Sequence, residues 1–459
     1  MAGQQKDLDF VIFGATGFTG KLVVEEFYRA AQHYQNSSQN PNAPKFTWAI
    51  AGRSETKLFE MANIISITTS SSSVRQPEMI IADITRPETL NVMAKRAKVL
   101  LACVGPFRLY GEPVVKACLE NHTDYVDITG ETEFIEQIQI KYHELAKTSN
   151  VTIIPACGFD CLPADYGLLY TKQQLKELRA LPSSIELFYK TNVGPSGFTL
   201  HYATYESAIL AIQNIDNIRK LRTSVNRPRV PKIGPELKKI PNGRWEKRVA
   251  GYVTPFFFAD PAVIRLSQQL DIENESDVPP VQFAAYLVIP KLMYLIEMLV
   301  CYKILSFLAH YSWGTFSHEG PTLEQIQQTK FEISFYARGY SQELIDTVIE
   351  AETSSTVLMS AETTPLIQDN QNSRPVSSST LSAMRLNKIK PDVEIITQVA
   401  GPEPAYSTTT ISIVQCAFTL SLEKAKIPAG VLTPSVAFGK TELLQRLKEN
   451  GLNFRIVGR

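Results

Sequence analysis

The sequence predicts a doubly wound, parallel α/β sheet followed by an α+β second domain. Three observations carry this. Short apolar runs at residues 9–13, 46–51, 79–82, 99–103, 125–128 and 151–154 are separated by gaps that have room for helices; residues 112–121 and 133–148 fill two of those gaps, the second with Phe134, Ile138, Tyr142 and Leu145 at helical spacing. A glycine-rich turn follows the first run directly. Beyond Pro182 the pattern changes to longer strands. Repeated strand–helix–strand order implies parallel neighbours, because parallel strands need crossovers. Ligands on such sheets sit at the strands' carboxyl ends, so the residues just after each run are the ones to read.

The first run, Phe10, Val11, Ile12 and Phe13, suits a strand buried on both faces. It leads into Gly14, Ala15, Thr16, Gly17, Phe18, Thr19 and Gly20. Gly14 permits the turn, Gly17 the close approach of a pyrophosphate and Gly20 the packing of a helix whose N-terminus favours the anion. The spacing is GxxGxxG, and a purely structural turn is the competing reading. After the second run stand Arg53 and Ser54, where an NAD-selective site carries a carboxylate. A cation and a hydroxyl suit a 2′-phosphate, which favours NADP(H) over NAD(H); a solvated loop cation is the alternative. The long interval from Gly14 to Arg53 is accounted for by a loop inserted at residues 36–45.

Asp83 follows the third run, placed either to accept from an adenine amino group or to cap the helix that begins near Pro87. Cys103, Val104, Gly105 and Pro106 form a thin edge under a nicotinamide ribose. Tyr125, Asp127 and Glu131, after the fifth run, are the proton-handling candidates. Asp160 and Asp165, after the sixth, are further candidates, and each of these carboxylates also has a structural reading. His201 is a lone second-domain candidate, expected to lie on a helix. None of the 18 tyrosines has a lysine four residues on, which removes short-chain-dehydrogenase chemistry.

Composition narrows the partners. The 459 residues are 44% hydrophobic and 20% charged, ordinary for a protein of two or three domains with a large core. Lys plus Arg and Asp plus Glu are both 46, so nothing in the overall balance points to nucleic acid. The six cysteines are dispersed without metal or redox spacing, and we expect buried thiols and no metal. The polar N-terminus carries no signal-peptide pattern, which favours the cytosolic side.

GATGFTG, AGRS, LLACVGPFRLYGEPVVKACLENHTDYVDITGE, GFDCLPADYG and GVLTPSVAFGKTELLQRLKENGLNF together resemble the saccharopine dehydrogenase family, specifically the animal saccharopine dehydrogenase-like oxidoreductases. More distantly the chain is similar to the trans-acting enoyl reductases. The resemblance runs from about Leu8 to the C-terminus. It implies an NADP(H)-dependent oxidoreductase with a Rossmann nucleotide domain, no assigned substrate, and a C-terminal helix that returns to the nucleotide domain.

The resulting expectation is a nucleotide domain over residues 1–180, a second domain over 181–429, and packing of 430–459 back on the first. In the second domain, residues 184–191, 331–340 and 393–399 read as an antiparallel sheet. Residues 198–215 and 405–422 read as helices against it, the first entered through a turn at Gly194, Pro195 and Gly197. Residues 351–390 are rich in Ser and Thr without aromatics, and read as a disordered insertion. The apolar stretch 281–312 is broken by Pro290, Lys291, Glu297 and Lys303. An interfacial or monolayer-inserted hairpin is the favoured reading, over a core helix or a true span. The functional expectation is a reductase attached to a lipid-droplet or membrane surface on the cytosolic side, acting on an apolar small-molecule or lipid substrate, and compatible with a homodimer. A non-catalytic nucleotide-binding lipid-droplet protein and a soluble cytosolic reductase are the alternatives.

Overall fold

The protein, described by a computed structural model over residues 6–37, 45–68, 74–202, 206, 215–292, 316–350 and 386–459, is built on two seven-stranded sheets. The first holds β1 (Leu8–Phe13), β2 (Trp48–Gly52), β3 (Glu78–Ile81), β4 (Ala97–Ala102), β5 (Asp124–Asp127), β6 (Thr152–Ile154) and β15 (Gly430–Val431). All pair in parallel, in the order β15-β6-β5-β4-β1-β2-β3. The strand order reverses between β1 and β4, which opens a crevice at their carboxyl ends. The apolar run of β1 is used on both faces: Phe10 and Ile12 enter one core, Val11 and Phe13 the other. Helices α1 (Phe18–Ser37), α2 (Glu55–Thr68), α3 (Pro87–Arg96), α4 (Phe107–Glu120) and α5 (Thr132–Thr148) make the crossovers.

Helix α6 (Leu162–Glu177) joins this sheet to the second and is buried along most of its length. The second sheet contains β7 (Ala180–Asn192), β9 (Arg244–Glu246), β10 (Gly251–Pro255), β11 (Gln282–Ile289), β13 (Lys330–Ser341), β14 (Val393–Gly401) and β16 (Asn453–Gly458), in the order β16-β14-β13-β7-β11-β10-β9. The strands expected at 184–191, 331–340 and 393–399 are antiparallel neighbours here. The sheet is nonetheless mixed, because β11 runs parallel to β7. Helix α7 (Asp260–Glu273) packs against α6, and a two-stranded ribbon pairs β8 (Leu200–His201) with β12 (Phe316–Ser317).

Several expectations are corrected. The apolar stretch does not begin as a lipid-inserted segment: residues 282–289 form β11, with Tyr286, Val288 and Ile289 buried in the second sheet. Alternation of buried and half-buried positions along β11 satisfies its apolar side chains within the protein. Residues 293–312 lie outside the described residues, and among the described residues no helix is long and apolar enough to cross a membrane. Of the expected disordered insertion, residues 351–385 lie outside the described residues. Residues 386–390 are placed, and Leu386 is buried beside Ile233 and Tyr340. His201 belongs to a strand, not a helix, and most of 203–214 lies outside the described residues.

The segment expected as a helix against the second sheet is instead α8 (Thr409–Leu422), packed on α1, β4 and β5 of the first. Almost every residue of α8 is buried, and Phe418 meets Phe10, Phe27 and Phe46 at ring distances of 5.2, 5.3 and 5.0 Å. A helix without a single charged residue tolerates burial on every side, and the helical layer of the nucleotide sheet supplies it. Residues 430–459 divide between the sheets: β15 extends the first, α9 (Leu443–Glu449) packs on α8, and β16 pairs with β14.

Candidate active site

The carboxyl ends of β1 to β4 form a continuous edge. Gly14 has φ +87°, a conformation that favours glycine, and a Cβ there would lie 2.7 Å from Val104 Cγ2. At Gly20 a Cβ would lie 2.8 Å from the Gly14 carbonyl carbon and closer still to its oxygen, so α1 can start only if this position is bare. Gly17 is exposed between them, and Arg53 projects from the end of β2 into solvent. Asp83 stands in Arg53's field, its carboxyl held below the usual range chiefly by hydrogen bonds from the Thr85 backbone N–H and hydroxyl. That carboxylate organises the loop ahead of α3, whose N-cap is Arg86, and does not cap the helix itself. Cys103, Val104 and Gly105 are accessible at the end of β4, and Gly105–Pro106 is a cis peptide. A bare cradle, a helix N-terminus and a cation at the second strand end together fit a dinucleotide carrying a 2′-phosphate.

The structure gives Tyr125, Asp127 and Glu131 bonds of their own. Tyr125 Oη donates to Asp127 Oδ2 at 2.9 Å, while Asp127 Oδ1 accepts from the backbone N–H groups of Thr129 and Ala156, both at 2.9 Å. Burial pushes Asp127 up to about 7 against the pull of those bonds, and raises Tyr125 as well. Glu131 turns the other way. Its two oxygens accept from Phe107 N at 2.8 Å and Arg108 N at 2.9 Å, the first turn of α4. Glu131 thus fastens the loop after β5 to the start of α4, and Asp127 fastens the end of β5 to the loop after β6.

A second acidic group stands in the loop after β6 and at the start of α7. Asp160 lies against Gly130, where a Cβ would come within 2.7 Å of Asp160 Oδ2, and desolvation raises its carboxyl to about 6. Asp260 is 1% exposed. Its Oδ1 accepts from Tyr189 Oη at 2.7 Å, and its Oδ2 has no hydrogen-bond partner among the described residues. Burial first, and the Asp160 charge second, push Asp260 up to about 8. Next to Asp160, Cys161 holds φ +123°, a strained value for a non-glycine residue of the kind that collects at functional sites. Tyr189 stacks on Phe256 at 3.8 Å, and Phe257 and Phe258 beyond it are 54% and 41% exposed. Asp165 faces elsewhere, tied to Ser267 Oγ at 2.6 Å and Ser435 N at 2.8 Å.

An aromatic group flanks the glycine loop. Phe18 stacks on His201 at 4.9 Å and meets Tyr406 edge-on at 5.1 Å, while the His201 backbone N–H donates to Tyr406 Oη at 2.6 Å. Burial lowers the His201 pKa. Tyr406 is set by a π-turn, Pro404–Thr408, whose N–H groups at Ala405, Tyr406 and Ser407 bond Glu403. Asp260, Tyr189 and Tyr406 were missed in the sequence because each comes from the second domain and meets the site only through folding. The FFFAD run at 256–260 is the one local signal that marked any of them. A cavity of about 260 Å³ at the opposite, amino edge of the sheet is lined by Lys6, Lys98 and Lys424. These lysines already bond carbonyls, hydroxyls and the carboxylates of Asp9 and Asp124.

Comparison with known proteins bears on the nucleotide-binding half and on the family. Residues 10–154 match the family model described as the saccharopine dehydrogenase NADP binding domain. The human "saccharopine dehydrogenase-like oxidoreductase" is 36% identical over 481 aligned residues, covering 100% of this chain and 99% of that one. A Caenorhabditis elegans "lipid droplet localized protein" is 30% identical over 98% of both chains. A "probable mitochondrial saccharopine dehydrogenase-like oxidoreductase" of Arabidopsis thaliana is 30% identical over 98% of this chain and 96% of that one.

Proposed function

The chain belongs to the saccharopine dehydrogenase-like oxidoreductases, and from that premise we propose that it moves a hydride between NADP(H) and an apolar or lipid-linked substrate at a lipid surface. NADP(H) is the cofactor of the domain that residues 10–154 match. Arg53 would hold its 2′-phosphate and the Gly14–Gly20 loop its pyrophosphate. When bound, it supplies the hydride.

The observation that carries the substrate class is an acid pair set against aromatic rings. Asp160 and Asp260 share a desolvated site with Tyr189, and the stack that begins at Phe256 continues into the exposed Phe257 and Phe258. At pH 7 a carboxyl held at about 6 keeps its proton in about a tenth of molecules and one held at about 8 in most of them, against roughly one in a thousand for an ordinary aspartate. In the reductive direction Asp160 gives that proton to the substrate atom made basic by hydride addition, and Asp260, bonded to Tyr189, keeps the neighbouring charge low. Asp160 then recovers its proton from solvent. On this reading Asp160 handles the proton, while Tyr125, Asp127 and Glu131 position the ends of β5 and β6 and the start of α4. The apolar sequence after Leu292 and the name of the worm relative support the lipid surface.

The test is transfer of label. Protein incubated with NADPH deuterated at the hydride position and a total lipid extract should place deuterium in an organic-phase product, and Asp160→Asn should lower the rate at least 100-fold. Label found only in water-soluble products would remove the apolar-substrate reading.

A further inference from the structure

The chain as a whole is neutral, yet residues 227–248 hold eight basic and two acidic residues. The fold spreads the second half of this stretch over the outer face of the second sheet, the face turned away from α6. Its backbone is pinned to the sheet by Ser183 Oγ to Ile233 O (2.7 Å), Leu237 N to Gln282 Oε1 (3.0 Å), Ile240 N to Tyr286 Oη (2.9 Å) and Tyr336 Oη to Arg248 O (2.9 Å). Leu237, Ile240 and Val249 pack inward on Phe188, Tyr286 and Val288. Both acidic residues are already paired, Glu236 with Lys232 at 2.6 Å and Glu246 with Arg248 at 3.0 Å. Lys238, Lys239 and Lys247 are exposed and have no ion-pair partner among the described residues. Unpaired cations are thus concentrated on one outward surface.

Trp245 falls between them in sequence, on the edge strand β9, 46% exposed and edge-on to Tyr252 at 5.1 Å. Strand register puts Trp245 in one row with Tyr252 and Ile289. Three residues past Ile289 is Leu292, 49% exposed, and from it the sequence continues to Leu308 with only Glu297 and Lys303 charged. Lys247, the exposed indole and the start of the apolar run therefore lie toward the Ile289 end of β11, and Lys238 and Lys239 are carried on the same face above Gln282 and Tyr286. An indole with a ring of lysines is the chemistry of the boundary between headgroups and acyl chains.

We propose that this strap, Lys238, Lys239, Trp245 and Lys247 with Leu292 at its margin, docks on anionic phospholipid headgroups. The proposal rests on the lipid-surface reading above and adds to it the sign of the surface. Each lysine near an anionic bilayer is worth about fivefold in binding, so removing three costs about 100-fold, and added salt weakens the attachment. The orientation directs the β9 edge to the lipid.

The experiment is flotation of the full-length protein with vesicles of phosphatidylcholine alone and of phosphatidylcholine with 30% phosphatidylserine. The expected result is stronger binding to the anionic vesicles, weakened by salt. Replacing Lys238, Lys239 and Lys247 together by Ala should reduce it about 100-fold, while triple replacement by Arg keeps it and Trp245→Ala lowers it on its own. NADPH titration of each variant confirms that the nucleotide domain is intact. Equal binding to both vesicle types by wild type and triple-Ala protein would overturn the proposal while leaving the lipid-surface reading standing. Binding to neither by wild type would overturn both. Wild-type binding to a single-stranded RNA in preference to anionic vesicles, lost in the triple-Ala variant, would assign the strap to nucleic acid and overturn the proposal as well.

Discussion

Asp260 has one carboxylate oxygen bonded to Tyr189 and the other without a partner, in a site where burial pushes it from 3.8 up to about 8. Between those two values the folded protein binds a proton that the unfolded chain has released, so this residue's contribution to stability falls as pH rises from about 4 to about 8. Asp160 and Asp127, raised to about 6 and about 7, slope the same way over narrower windows. Asp260→Asn keeps the shape and removes the ionisation. Compared with wild type, its melting temperature should improve steadily from pH 5 to pH 8.5, by no more than about 1.4 kcal/mol of stability per pH unit. Parallel melting curves for the two proteins across that range would show that Asp260 ionises as an ordinary aspartate. Sequence reading reached Asp160 because it follows a strand end. It missed Asp260, because nothing within five residues of it says that Tyr189 and Asp160 will be its neighbours.

Helix α4 shows the same limit for an element. The sequence predicts a helix over 112–121, close to where proline is welcome at a first turn. The helix actually spans Phe107–Glu120 and carries Pro113 inside. Its extra first turn is held by Glu131, whose carboxylate accepts from the N–H groups of Phe107 and Arg108 out of the loop after the neighbouring β5. No residue next to that turn caps it, so local sequence signals understate the helix. Glu131→Ala should therefore cost about 1–3 kcal/mol, read as a lower midpoint in urea, with Glu131→Gln recovering part of the loss. A silent Glu131→Ala variant would mean that the turn holds without its cap.

At the scale of the whole molecule, β13 and β14 pair along their length although residues 342–392 separate them in sequence. The far ends are tied independently: the Ser341 N–H donates to Asp392 Oδ1 at 2.9 Å, and Tyr340 Oη donates to Ile389 O at 2.7 Å. Loop-closure entropy rises only with the logarithm of length. Deleting residues 354–385 and inserting a short Gly/Ser linker should then shift the melting temperature by less than about 3 °C and leave NADPH affinity unchanged. A drop of 10 °C would show that this Ser- and Thr-rich stretch packs on the body of the protein.

Local pattern alone determined the nucleotide half. Six short apolar runs, the GxxGxxG turn and Arg53 follow one another in sequence, and a parallel sheet brings the carboxyl ends of all its strands to one edge, so the residues just after each run are the residues of the crevice. Tertiary structure alone decided the rest. Whether residues 282–289 meet lipid or protein depends on β7 and β10 standing on either side of them. Helix α8 carries no charge wherever it goes, and its place beside α1, β4 and β5 is set by the packing. The acid pair joins residues 100 positions apart. Burial, which raises both carboxyls, comes from the two domains closing on them, and that is a property of the packed molecule rather than of any stretch of its sequence.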